Sequence, residues 1–183
     1  LINTFGKVCR KYPFNFALKF QYRELNSFIH PKMKKRKDIK FIKRFSETKL
    51  KKIDFDKFIK TVKKQNFYTI STPFDEESVK LIEKQNLDII KIASCSFSDW
   101  PLLERVIENK KPIIASTAGA SEKEIDQIVS FLNHRNKEFA IMHCVAEYPT
   151  PNKNLHLAQI QYLKKRYPNT RIGFSTHENP SDD

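Results

Sequence analysis

Short runs of apolar, largely β-branched residues recur along this chain, each followed by a longer amphipathic segment. That alternation constrains the fold more than any other feature. The runs are Phe16–Phe20, Tyr68–Ser71, Leu87–Ala93, Pro112–Ser116, Phe139–Val145 and Arg171–Ser175. They are almost continuously apolar, as expected of strands buried on both faces. Between them, Phe55–Gln65 places Phe55, Phe58, Ile59 and Val62 on one helical stripe. Asp75–Lys84 opens on three acids, Asp75, Glu76 and Glu77, where the helix dipole favours them. Trp100–Asn109 carries Pro101 at its opening, which suits a first helical turn. Ser121–His134 starts with a capping box, Ser121 to Glu124, and Leu155–Arg166 stops before Pro168. Leu1–Lys11 reads as the end of a helix, which implies a strand before it. Strands alternating with helices in this way predict a parallel sheet.

The chain has 183 residues, 39% of them apolar, with 15 Phe and 6 Tyr. That is enough apolar mass for a core and excludes a wholly disordered chain. With 3 Gly, collagen-like and Gly-rich readings are excluded as well. No apolar run approaches the roughly 20 residues of a membrane span. Lys7 and Arg10 lead into further charge, so no signal peptide is expected. The chain opens on Leu1, not Met, which reads as an internal start. Cys9, Cys95 and Cys144 are far apart without CxxC spacing, which points to a reducing, cytoplasmic setting and to plain core or loop roles.

Net charge is +13, and Lys32–Lys52 holds 11 basic and 2 acidic residues. Most of the excess therefore sits in one segment. A solvated loop or helix face is the first reading of it. A basic rim that attracts an anionic substrate is the second, and nucleic acid the third, since stacking aromatics do not recur there. Neither a nucleic-acid nor a membrane partner is expected.

Polar residues gather at the carboxyl ends of the runs: Lys19 and Gln21, Ser71 and Thr72, Lys91 and Ser94, Ser116 and Thr117, His143, then Ser175 and His177. A (β/α)8 TIM barrel collects its ligand groups from many strand ends, whereas an open sheet concentrates them at one switch point. No phosphate-binding Gly-rich loop follows any run. The α/β class is therefore read as a TIM barrel, truncated to six of eight strands.

Lys19 and Lys91 interrupt runs that would otherwise be core, and a buried ammonium needs a partner. With the hydroxyls of Ser71, Thr72, Ser94, Ser116, Thr117 and Ser175 they predict a cradle for phosphate or for phosphate plus carboxylate. A Schiff-base lysine is the rival role. His143 is expected to be a hydrogen-bonded core residue. His177 is better placed as a ligand, and Glu178 beside it as a capping or outward group. His30, His134 and His156 are expected at the surface.

The segments KFQ at Lys19–Gln21, STPFD at Ser71–Asp75, IKIAS at Ile90–Ser94, KPIIAST at Lys111–Thr117, HCVAEYPTP at His143–Pro151 and GFSTHE at Gly173–Glu178 occur in one order. Together they resemble the sialic acid (N-acetylneuraminate) synthase family, the phosphoenolpyruvate-condensing enzymes that make nonulosonic acids. The resemblance implies a (β/α)8 barrel. It also implies a transferase in sialic acid biosynthesis, joining phosphoenolpyruvate to the aldehyde of an N-acylated hexosamine with release of phosphate. It implies a divalent metal, manganese or magnesium, and a homodimeric parent. On it, Lys19, Thr72, Lys91, Ser94, Ser116 and Ser175 match positions that hold phosphoenolpyruvate, with Lys19 and Lys91 taken as catalytic. His177 matches a metal ligand, and Tyr148 a residue of the amino-sugar pocket.

Thr176 stands where an aspartate is usual, Ala146 where some members carry asparagine, and Ser96 where the sialic acid enzymes carry glutamate. The acceptor sugar is therefore left open. The whole of 1–183 is read as a single incomplete barrel domain. Its first strand, last two strands and any C-terminal antifreeze-like domain are expected outside it. The alternatives are an inactive or binding remnant of such a barrel, another phosphoenolpyruvate-dependent sugar-acid synthase, or a Schiff-base aldolase.

Overall fold

A computed structural model of the chain describes residues 1–36, 38–179 and 181. It divides into two compact units, Leu1–Ile89 and Ile90–Asp183.

The first unit begins with α1 (Ile2–Cys9) and β1 (Ala17–Tyr22), then α2 (Leu25–Phe28), α3 (Lys40–Glu47) and α4 (Lys52–Lys64), and ends with β2 (Tyr68–Pro73) and α5 (Glu76–Lys84). β1 and β2 are parallel, with Lys19 opposite Ile70 and Gln21 opposite Thr72. Both α4 and α5 pack on β2. Ile59, Val62, Val79, Ile82 and Leu87 are buried, and the Phe55 ring lies 4.6 Å from that of Tyr22. Gly6 lets α1 approach α4: a Cβ there would sit 2.0 Å from Gln65 Oε1, an atom that accepts a hydrogen bond from Arg10.

The second unit contains β3 (Ile89–Ile92), whose first residue closes the unit before it, then α6 (Trp100–Ile107), β4 (Ile113–Ser116), α7 (Glu122–His134), β5 (Phe139–Cys144), α8 (Ala158–Arg166) and β6 (Arg171–Ser175). The ladders from β3 to β4, β4 to β5 and β5 to β6 are all parallel. Ile90, Ile92, Ile113, Ala115 and Ile141 from the strands and Leu103, Val106, Ile128 and Leu132 from the helices form its core.

Local chemistry explains the helix boundaries. Asp75, Asp99 and Ser121 each cap the helix that follows, and the Ser121–Glu124 capping box forms in both directions. Three helices stop at an asparagine with positive φ: Asn66 at 58°, Asn86 at 48° and Asn136 at 52°. In each the next two amides reach back to the last turn, as Asn66 to Lys63 and Phe67 to Val62 do. In a chain with 3 Gly, asparagine takes the left-handed position that glycine usually fills.

Two expectations are corrected. The strands are not buried alike on both faces. Along β3, buried Ile90 and Ile92 alternate with half-buried Ile89 and Lys91, because the buried face carries the helices and the other carries polar groups. Lys19 lies on the more exposed face of β1 and not in a core, although surrounding protein atoms partly desolvate its ammonium. The basic segment Lys32–Lys52, read as a solvated loop or helix face, includes a helix with no buried residue. It forms a 3-10 turn at Pro31–Met33 and α3, and Phe45 anchors it against Phe28. Its Lys37 lies outside the described residues. Among the described residues no helix is long and apolar enough to cross a membrane.

Candidate functional site

Paired residues of parallel strands project to the same side, and neighbours along a strand to opposite sides. The register therefore sorts the polar strand ends by face. In the first unit, Lys19, Gln21 and Thr72 share one face, while Ser71 lies opposite Phe20 on the other. Sequence reasoning put Ser71 in the cradle and left Gln21 out of it. The spacing of Gln21 two residues after Lys19 was the signal.

The Lys19 ammonium is held below the ordinary lysine pKa, first by desolvation and then by the charge of Arg23. Ser71 and Thr72 are 0% and 2% exposed, and neither hydroxyl has a hydrogen-bond partner among the described residues. A buried unpaired hydroxyl is costly unless something else meets it. Thr72, on the face of Lys19, is placed to meet a ligand; Ser71 is not. Ser71→Ala is therefore expected to hold or raise the melting temperature and leave anion binding alone. Thr72→Val should also preserve stability, yet weaken anion binding about threefold or more. Titration of both variants with phosphoenolpyruvate checks this, and equal losses would contradict the assignment of faces.

In the second unit the shared face carries Lys91, Ser116, Met142, Gly173, Cys144 and Ser175. Lys91 Nζ donates to Ser116 Oγ and, at 3.5 Å, to the Ile92 carbonyl. Ser94, in a 3-10 turn directly after β3, accepts from the Ala118 amide at 3.2 Å. That bond ties the loop after β4 to the end of β3. Gly173 makes room on this face for Met142, whose sulfur would lie 2.6 Å from a Cβ. Cys144, read from sequence as a plain core or loop residue, is buried opposite Ser175, on the face that Lys91 and Ser116 share.

Thr117, like Ser71, leaves the cradle, and His143 was read as core. Thr117 donates its amide and its hydroxyl to the Met142 carbonyl, at 3.1 and 3.2 Å, so it serves the ladder. His143 lies on the opposite face, buried, with Nε2 donating to the Leu155 carbonyl at 2.8 Å, the expected core role.

His177 follows β6. Its carbonyl accepts from the Thr150 amide at 2.9 Å, and its ring lies 4.0 Å from that of Tyr148. Tyr148 is 69% exposed, so the pair forms an open rim. Among the described residues no group of three or more His, Cys, Asp or Glu side chains comes together as a metal set. His177 is a single imidazole, and the described donors do not build a complete metal site around it.

What this arrangement can do chemically is hold a small multivalent anion. Each unit presents a lysine with a hydroxyl on one strand face: Lys19 with Thr72, and Lys91 with Ser116 and Ser175.

A family model described as the NeuB family matches residues 16–182. The crystal structure of a putative spore coat polysaccharide biosynthesis protein E from Chromobacterium violaceum is 53% identical. It superposes with a TM-score of 0.95, over 98% of this chain and 54% of that one. An N-acetylneuraminic acid synthetase from Leptospira borgpetersenii serovar Hardjo-bovis, solved with citrate, is 29% identical at a TM-score of 0.78, over 88% of this chain and 54% of that one. The N-acetylneuraminate-9-phosphate synthase of Drosophila melanogaster is 34% identical over 63% of this chain and 32% of its own length. The chain thus spans about half the length of the solved relatives and less of that curated one.

Proposed function

Because the chain belongs to the NeuB family, we propose that the natural protein is a nonulosonic acid synthase that condenses phosphoenolpyruvate with the aldehyde of an N-acylated amino sugar. The methylene carbon of phosphoenolpyruvate bonds to the aldehyde carbon. Water then adds to the cationic carbon left behind, and the carbon–oxygen bond to phosphate breaks.

The observation that carries this reading is the ligand face of the second unit, where Lys91 is held on Ser116 with Ser175 on the same side. An ammonium fixed by a hydroxyl is pre-oriented toward an anion and loses little side-chain freedom on binding it. In the first unit Lys19 and Thr72, and in the second Lys91, Ser94, Ser116 and Ser175, are each proposed as residues that bind the anionic groups of the donor. Tyr148, exposed on the rim, is assigned to the amino sugar. A divalent metal, manganese or magnesium, would have His177 as its ligand among the described residues, and would polarise the sugar aldehyde when bound.

The test is phosphate release by the natural full-length protein from phosphoenolpyruvate, with and without N-acylated hexosamines. Release that depends on the amino sugar, with a nonulosonic acid as product, is the expected result. Release that ignores the sugar, or borohydride trapping of an imine at Lys91 or Lys19, would replace this reading with a phosphatase or an aldolase. The 183-residue chain by itself is proposed to lack turnover.

A further inference from the structure

We propose that Arg23 is a positioning residue for this reaction: its guanidinium, sandwiched between Phe45 and Phe74, fixes the Gln21 amide on the ligand face of β1 and fastens the basic helix α3 beside it. The inference rests on the reading above, in which the face of Lys19, Gln21 and Thr72 meets substrate.

The guanidinium carbon lies 3.9 Å from the Phe74 ring centroid and 4.4 Å from that of Phe45. Both distances are within cation–π range. Phe74 directly follows β2, and its amide donates to the Tyr22 carbonyl at 3.1 Å, so one wall of the sandwich is fixed by the strands. The other wall is not. No residue of α3 is fully buried, and its Phe45 is held through Arg23 and through Phe28, whose ring lies 5.9 Å from Phe45 and 6.3 Å from Phe74.

From the edge of the guanidinium, Arg23 Nη2 donates to Gln21 Oε1 at 3.0 Å. With that oxygen engaged, the amide offers its N–H groups to a ligand. The backbone just beyond is pinned as well: Asp75 accepts from the Glu24 amide at 2.8 Å with one oxygen and from Ser78 at 2.7 Å with the other. Arg23, Gln21, Phe45 and residues 49, 51 and 52, all lysines, line one cleft of about 560 Å³. Letting go of α3 therefore changes the approach to the end of β1. Only a planar, forked cation stacks on two rings while donating from its edge, so lysine is not an equivalent here.

The test is a double-mutant cycle on the natural full-length protein, with Arg23→Met, Gln21→Met and both together, read as kcat/KM. Arg23→Met should lower kcat/KM about tenfold, and the double variant should be no worse than Gln21→Met alone, since one residue acts through the other. Losses that multiply independently would overturn the inference, as would an unaffected Arg23→Met. Arg23→Lys should lose as much as Arg23→Met; full activity would mean that charge alone matters and would sink the positioning role. A crystal structure of Arg23→Met supplies a readout independent of turnover. Gln21 turned away and α3 lifted from Phe74 supports the inference; both unmoved overturns it. Absence of phosphoenolpyruvate chemistry in the unmutated protein would count against the proposed function alone, and the crystallographic arm would still decide the role of Arg23.

Discussion

Lys91→Ala is expected to weaken phosphoenolpyruvate binding by about 10- to 100-fold in the natural full-length protein. A hydrogen bond to a charged group contributes on the order of 1.5–3 kcal/mol, and about 1.4 kcal/mol is a factor of ten in affinity. The substitution also strips Ser116 of its donor, since Lys91 Nζ contacts Ser116 Oγ. Lys91→Met keeps most of the stem and should lose the same affinity, because the ammonium is what the anion meets. Calorimetric titration with phosphoenolpyruvate measures this without requiring turnover. If Lys91→Ala binds the donor as tightly as the unmutated protein, Lys91 has no place in the anion site.

Leu103→Ala should produce the largest loss of stability, about 2–5 kcal/mol, as expected for a large side chain removed from a core that cannot collapse around the gap. Leu103 is fully buried in α6. Leu157→Ala is the matched control, since Leu157 is exposed just before α8 and should change stability by no more than about 0.5 kcal/mol. Denaturant titration of the two variants separates the outcomes. Equal midpoints would mean that α6 does not contribute to the core described for the second unit.

Much of the architecture was legible because its determinants are local. Ser121 and Glu124 are three residues apart, and their capping box closes within one turn, so α7 could be started from four letters of sequence. Pro101 opens α6 and the acids after Asp75 open α5 for the same reason. The helix ends were harder. Asn66, Asn86 and Asn136 stop three helices, yet asparagine marks turns of many kinds and its left-handed role shows only in the backbone. Within the basic segment, loop and helix stayed open, because the contact that anchors α3, Arg23 between Phe45 and Phe74, joins residues distant in sequence.

By itself the sequence determined the order of strands and helices, the parallel sense of the strands and the set of polar residues at their carboxyl ends. All follow from short-range periodicity and from the chemistry of neighbouring residues. Only the tertiary structure decided which of those residues share a face. A strand turns its side chains over every second residue, so register alone separates Thr72 from Ser71 and Lys91 from Ile90. Register is a long-range pairing. In runs that are apolar almost throughout, no alternation reveals which side faces the helices. For that reason Ser71 was placed in the cradle, and Gln21 went unselected until it was found opposite Thr72.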